Sequence, residues 1–165
     1  MNHKFQMTET AVSDRFDERR KRLADCFPDL AIIPRRRFVM TSELSWLVLH
    51  GRKFATVRFE RGAVELVVSQ HLPLFEVHRP GSARCEPQFV TNLFVSQVRY
   101  LKCKHLSDED AHADGFQTKD ELIDALRSFY GRIDPDEILS VYAINVSRTA
   151  AQRNVEMPEL NFNVG

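Results

Sequence analysis

The stretch His50-Gly51-Arg52-Lys53-Phe54-Ala55-Thr56-Val57-Arg58 gathers an amine, a hydroxyl and a guanidinium within nine residues. Lys53 and Thr56 stand three apart across a turn-to-strand junction. A threonine hydroxyl attacks only when a base or a lowered pKa activates it. A lysine serves as that base only when burial disfavours its charged form. On residue type alone, Lys53 reads first as a solvated surface lysine and Thr56 as an ordinary strand threonine. Arg58 lies between apolar Val57 and Phe59. Its planar fork suits a phosphate, or a carboxylate elsewhere in the chain.

Other groups join these as candidates. Asp114 precedes Gly115-Phe116. It reads either as a carboxylate able to move a proton or as the Asp of an Asp-Gly turn. Arg35, Arg36 and Arg37 are contiguous, and alternation along a strand turns at least one of them outward. They form a phosphate-binding stripe or a solvated run. His50 and His112 stand near these groups and are the two histidines with a place in a cleft. Cys26, Cys85 and Cys103 are odd in number, widely spaced and free of any CxxC. Neither a disulfide framework nor a zinc site is expected, and no cofactor or metal is assigned. Cys103 reads as a small packing residue.

The elements that must position these groups follow from punctuation and period. Ser13 caps a helix over 14–26 that is rich in arginine, and Phe27-Pro28 ends it, because a residue before proline avoids helical geometry. Pro34 stops the apolar run from Ala31 to Ile33. A strand is read over 36–40, then a helix from Ser42 to about His50, with Gly51 as its left-handed cap. Alternation predicts strands over 54–59, 64–69, 74–78 and 93–103, with a turn at Gly62 and a break at Pro73. Residues 79–89 carry the Pro and Gly of a loop. Ser107 and Thr118 each open a helix, with Asp110 and Glu121 at capping-box positions. Gly131 closes the second helix, Asp134-Pro135-Asp136 turns, and a strand over 139–146 precedes a polar tail. Five or six strands with few helices between them define a mainly β, α+β chain. It is a small barrel or curved sheet with helices at its ends.

Two segments together resemble the ASCH domain, a member of the PUA-like β-barrel superfamily. His50 to Arg58 is similar to its helix-then-GxKxxTxR signature. Leu106-Ser107-Asp108-Glu109-Asp110-Ala111-His112-Ala113-Asp114-Gly115-Phe116, with Lys119-Asp120-Glu121-Leu122, is similar to its second block. Tyr142 to Val146 stands where its closing strand would be. The resemblance spans roughly residues 36–147. It implies a barrel with a cleft between the first motif and the helical insertion, and a protein that binds RNA or acts on nucleic-acid components. Some small bacterial members are amidohydrolases of acylated cytidine that use the motif lysine and threonine with a carboxylate. Carried over by position, these are Lys53, Thr56 and Asp114. Those members have glutamate at the last position, and Asp114 is one carbon shorter.

The chain has 165 residues with 23 Lys+Arg and 23 Asp+Glu. That balance excludes a wholly basic nucleic-acid coat protein. The charge is uneven, with 13 basic and 8 acidic residues up to Arg61 and 10 and 15 beyond it, which suggests one basic face. No apolar run reaches membrane-spanning length, and the first residues lack a secretion signal's apolar core, so a cytoplasmic protein without membrane partners is expected. The expected organisation is an N-terminal extension with a basic helix (1–34), an ASCH-like barrel domain (35–147) and a polar tail (148–165). The first functional reading is an RNA- or nucleotide-binding domain whose basic cleft uses Arg35, Arg36, Arg37, Lys53, Thr56 and Arg58. The alternative is a metal-free amidohydrolase, or another hydrolase of a modified nucleoside or nucleic acid, working through Lys53, Thr56 and Asp114. The residues leave open the ligand, the presence of catalysis and the oligomeric state.

Overall fold

The computed structural model describes residues 16–78, 86–147 and 159–162. Ser13, Cys85 and residues 79–85 of the loop lie outside them. Helix α1 covers residues 16–26. Strand β1 (Ala31–Arg35) pairs in parallel with β4 (Ala63–Val67) as a separate two-stranded sheet. Pro34 lies within β1 and does not stop it, because an edge strand tolerates a residue that cannot donate.

The main sheet takes β2 (Phe38–Thr41), β5 (His71–Val77), β6 (Gln88–Lys102), β7 (Ile138–Val146) and β3 (Ala55–Arg58), in that spatial order. A sixth strand, β8 (Glu159–Phe162), pairs with β6 from within the stretch read as a polar tail. It continues the side of β6 that β5 leaves after Phe94. The sheet is mixed and curls into a half-barrel, with β2 and β3 as its two ends. Strand β5 runs through Pro73. The missing N–H falls opposite Asn92 and before Leu74, where β2 begins to pair, so it interrupts no ladder on the β2 side. Helix α2 (Ser42–Leu49) follows β2, while α3 (Asp108–Ala113) and α4 (Lys119–Tyr130) lie between β6 and β7. No described helix is long and apolar enough to cross a membrane.

Strand alternation divides the interior into two cores. Tyr142 and Ile144 of β7, with Val98 and Tyr100 of β6, join Phe38, Leu66, Leu74 and Leu23 of α1 on one face. Leu139, Val141 and Leu101 turn the other way, onto Leu106, Ala111, Leu122 and Leu126 of the helical insertion. Cys103 packs in this second core. In β3, Ala55 and Val57 belong to the second core. Thr56 and Arg58 therefore face the first, beside their cross-strand partners Tyr142 and Ser140.

One carboxylate sits inside the first core. Glu65 of β4 is 2% exposed. It accepts from Arg35 Nε at 3.0 Å and pairs also with Arg35 Nη2. It accepts from the Tyr142 hydroxyl at 2.5 Å, and Tyr100 donates to its backbone carbonyl at 2.6 Å. Burial, reinforced by the Glu65 charge, pushes both phenols above the usual tyrosine range. A raised folded pKa favours the neutral form, so these phenols stabilise the fold below about pH 10 and that contribution is lost above it. In an alkaline titration, two of the three tyrosines should therefore ionise only together with unfolding. Tyrosinate absorbance rising fully while far-ultraviolet circular dichroism stays native would contradict this.

Candidate functional site

The site forms where the two ends of the sheet meet the helices. Thr41 caps α2, its hydroxyl accepting from Leu44 N–H at 3.4 Å. Gly51, at φ 67°, turns the chain back toward β3. Phe54 N–H donates to Ala113 O at 2.9 Å, tying the start of β3 to the end of α3. Ser107 and Asp110 cap α3 with a reciprocal box, and Asp110 also pairs with Arg99. Glu121 accepts from Gln117 N–H at 3.0 Å, so the cap at Thr118 is one-sided. Helix α3 ends at Asp114, and Gly115 at φ 91° reverses the chain. A Cβ there would meet Leu47 Cδ1 at 2.9 Å, so glycine answers both the backbone and the space.

This turn lays Asp114 against the first motif. Lys53, Thr56 and Asp114 are 2%, 3% and 4% exposed. Lys53 Nζ pairs with Asp114 Oδ1 and donates to Asp114 O at 3.1 Å. Asp114 Oδ2 accepts from Val57 N–H at 2.9 Å. Burial pushes the Lys53 amine well below the usual lysine range, and the Arg58 charge acts in the same direction. The Asp114 carboxylate opposes both by holding the protonated form. The Thr56 hydroxyl accepts from Arg58 Nε at 3.2 Å, and no Lys53–Thr56 hydrogen bond occurs among the described residues. Arg58 Nη2 donates to Val39 O at 3.1 Å, bridging β3 to β2 across the open side of the half-barrel. Its guanidinium also stands 5.7 Å from the Phe38 ring centroid.

These groups line a cavity of about 580 Å³. Its polar lining includes Thr41, Lys53, Thr56, Arg58, His78 and Asp114, while Met40, Leu44 and Val77 add apolar wall. Helix α4 and the chain before it supply Phe116, Leu122, Leu126, Phe129 and Tyr130. Lys53, Thr56, Arg58 and Asp114 thus share one cavity although up to 61 residues separate them. Of the arginine run, Arg35 turns inward onto Glu65, while Arg36 and Arg37 are exposed and Arg37 lies over Phe75 at 5.4 Å. His50 and His112 are outside the cavity lining. His50 Nδ1 lies 2.8 Å from Trp46 O, and His112 Nε2 lies 2.6 Å from Gln117 O. No group of three or more possible metal ligands occurs among the described residues.

Three features escaped the sequence reading. Glu65 left a signal, a lone charge within the apolar run Ala63–Val67. His78, whose Nδ1 lies 3.3 Å from Ser42 Oγ, left none, since the end of a strand does not show what it faces. Phe129 fits the apolar helical period of α4, which does not by itself show what the ring faces. It is 57% exposed and lines the cavity.

No protein-family model matches the chain, and no curated protein matches it. Among solved structures, it is similar to an ASCH domain from Lactobacillus crispatus JV V101. That similarity has 14% identity over 70% of this chain and 79% of the other, with a TM-score of 0.45. A protein from Enterococcus faecalis V583 of the DUF984 family is similar at 20% identity, over 67% and 76% of the two chains, also with a TM-score of 0.45.

Proposed function

We propose that the cavity binds a nucleotide-like group, free or within an RNA strand. The observation that carries this reading is the state of Arg58. Its partners, Thr56 Oγ1 and Val39 O, are neutral, and no carboxylate pairs with it among the described residues. An arginine with neutral partners and donors to spare attracts an oxyanion such as a phosphate. The Lys53–Asp114 pair cancels its own charge, so Arg58 sets the sign of the cavity. Phe116, Phe129 and Tyr130 offer apolar surface for a base, and the volume lies within the range of small-ligand pockets. Calorimetry with ribonucleosides and their 5′-monophosphates tests this. The monophosphates should bind more tightly, and less so as salt rises. Equal affinity for both, independent of salt, would remove Arg58 from the role.

A second reading rests on Lys53, an amine that burial pushes toward its neutral form in the same cavity as Thr56. In an amidohydrolase, Thr56 Oγ attacks the acyl carbon and Lys53 takes the hydroxyl proton. The C–N bond breaks, Lys53 hands the proton to the leaving amine, and water cleaves the threonyl ester. That path requires Lys53 Nζ to leave Asp114, and binding therefore stands first. Thr56 separates the two. If Thr56 is the nucleophile, the native chain and Thr56→Ser hydrolyse acylated cytidine and Thr56→Val does not. In the binder no variant turns over, and Thr56→Val weakens nucleotide affinity by about one hydrogen bond, roughly 0.5–1.5 kcal/mol.

A further inference from the structure

Trp46 is the single tryptophan of the chain, yet it lies on α2 with 47% of its surface exposed. Tryptophan is highly buried on average, so an indole this exposed directs attention to what surrounds it. Its surroundings are not those of a plain apolar patch. The His50 imidazole stacks on the indole at a centroid distance of 4.0 Å and an interplanar angle of 23°. The Arg52 guanidinium stands 5.5 Å from the same ring centroid. His50 and Arg52 are both exposed. An indole, an imidazole and a guanidinium each stack on planar rings, and the guanidinium also binds phosphate.

Arg52 and Phe116 link the cluster to the cavity by way of a second hollow. Arg52 helps to line a shallow depression of about 380 Å³, together with Leu47, His112 and Phe116. Phe116 also lines the main cavity. Phe116 is thus shared by the two hollows, and Arg52 by the shallow one and the Trp46 cluster. Rings with an arginine beside them offer stacking faces and a phosphate contact together, which is what single-stranded nucleic acid uses.

We infer that Trp46, His50 and Arg52 form a stacking platform for a nucleotide next to the one held in the cavity, so that the occupant is a single-stranded RNA segment. This rests on the nucleotide-binding reading of the cavity and adds the flanking contact. The lone tryptophan makes the test direct, because intrinsic fluorescence reports the platform alone. Titration with single-stranded hexaadenylate RNA should quench that fluorescence, whereas the ribonucleoside 5′-monophosphates should bind with little quenching. Trp46→Ala should weaken hexaadenylate binding about 5- to 150-fold, the range for one lost stacked base, and leave monophosphate affinity unchanged. Trp46→Phe should recover most of the loss. Arg52→Ala should reduce the slope of log affinity against log salt by about 0.7. Circular dichroism confirms that each variant is folded. Hexaadenylate binding that neither quenches the tryptophan nor responds to Trp46→Ala would overturn the platform and leave the cavity reading intact. Failure of both probes to bind the native chain would overturn both readings. A Trp46→Ala loss confined to a protein partner, with RNA binding unchanged, would reassign the surface to protein docking and likewise overturn the inference.

Discussion

Replacing Asp114 by alanine is expected to destabilise the protein by about 3–5 kcal/mol, the usual result of removing one partner from a buried ion pair. The variant leaves the Lys53 amine buried without its counter-charge and Val57 N–H without its acceptor. For a chain of this length the melting temperature should fall by roughly 6–20 °C. The cost has a pH signature. With the carboxylate gone, only burial and the Arg58 charge act on Lys53, and both lower its pKa. The folded state then binds fewer protons than the unfolded state between the depressed folded value and the ordinary value of 10.5. Stability therefore rises with pH through that window and is lost as pH falls through the folded pKa. The deficit of Asp114→Ala should narrow as pH rises through that window, up to the range in which the buried tyrosines act in the opposite direction. The double variant Lys53→Met/Asp114→Leu separates charge from shape. Replacing both partners with apolar groups of similar volume is expected to be near neutral. Denaturant melts showing the double variant as unstable as Asp114→Ala would mean that packing, not the unpaired charge, sets the cost. One consequence bears on mechanism. Lys53→Ala strands the Asp114 carboxylate, so loss of activity in that variant does not isolate a base, and Thr56 is the cleaner position to change.

Glu65→Ala is expected to have a similar effect, also about 3–5 kcal/mol. It removes the acceptor for two Arg35 nitrogens and for the fully buried Tyr142 hydroxyl, leaving the phenol without its acceptor and the guanidinium with Arg37 O alone, at 3.3 Å from Nη1. Arg35→Ala should cost comparably, because it leaves the Glu65 charge inside the first core. Arg36→Ala and Arg37→Ala should stay within about 0.5 kcal/mol, as is usual for exposed positions. Urea titration of the three single arginine variants checks this. Equal stability in all three would show that Arg35 is as dispensable as its neighbours and that its pairing with Glu65 contributes nothing net. If Arg36 and Arg37 contact nucleic acid, their variants should weaken RNA binding in a salt-dependent manner without affecting the melt.

Much of the fold was legible because its signals are local. Gly51, Gly62 and Gly131 marked turns that positive φ angles require, and the structure has all three there. The Ser107 box and the Thr118 cap appear where hydroxyl and carboxylate spacing put them. Strand alternation placed β3 and β7 closely, whereas β6 begins at Gln88, inside the stretch read as a loop, because β5 offers Phe75 and Glu76 as partners for Phe89 and Gln88. The errors arose where a local signal depends on which neighbour the fold supplies. Pro34 and Pro73 read as stops, and strands run through both, because each proline nitrogen falls where no ladder bond on that side is needed. Strand β8 has no strong pattern of its own and exists because β6 offers it an unpaired edge.

The same division holds for the site. The chain itself determined that Lys53, Thr56 and Arg58 share one short segment and that Asp114 precedes a left-handed glycine, since spacing and backbone preference are properties of neighbouring residues. Only the tertiary structure decided that the α3 turn lays Asp114 on Lys53, that Arg58 spans the two ends of the sheet, and that Arg35 faces Glu65 while Arg36 and Arg37 face solvent. Whether a charge is buried, paired or free depends on groups 19 to 61 residues away in sequence, and thus on long-range packing that no local pattern encodes.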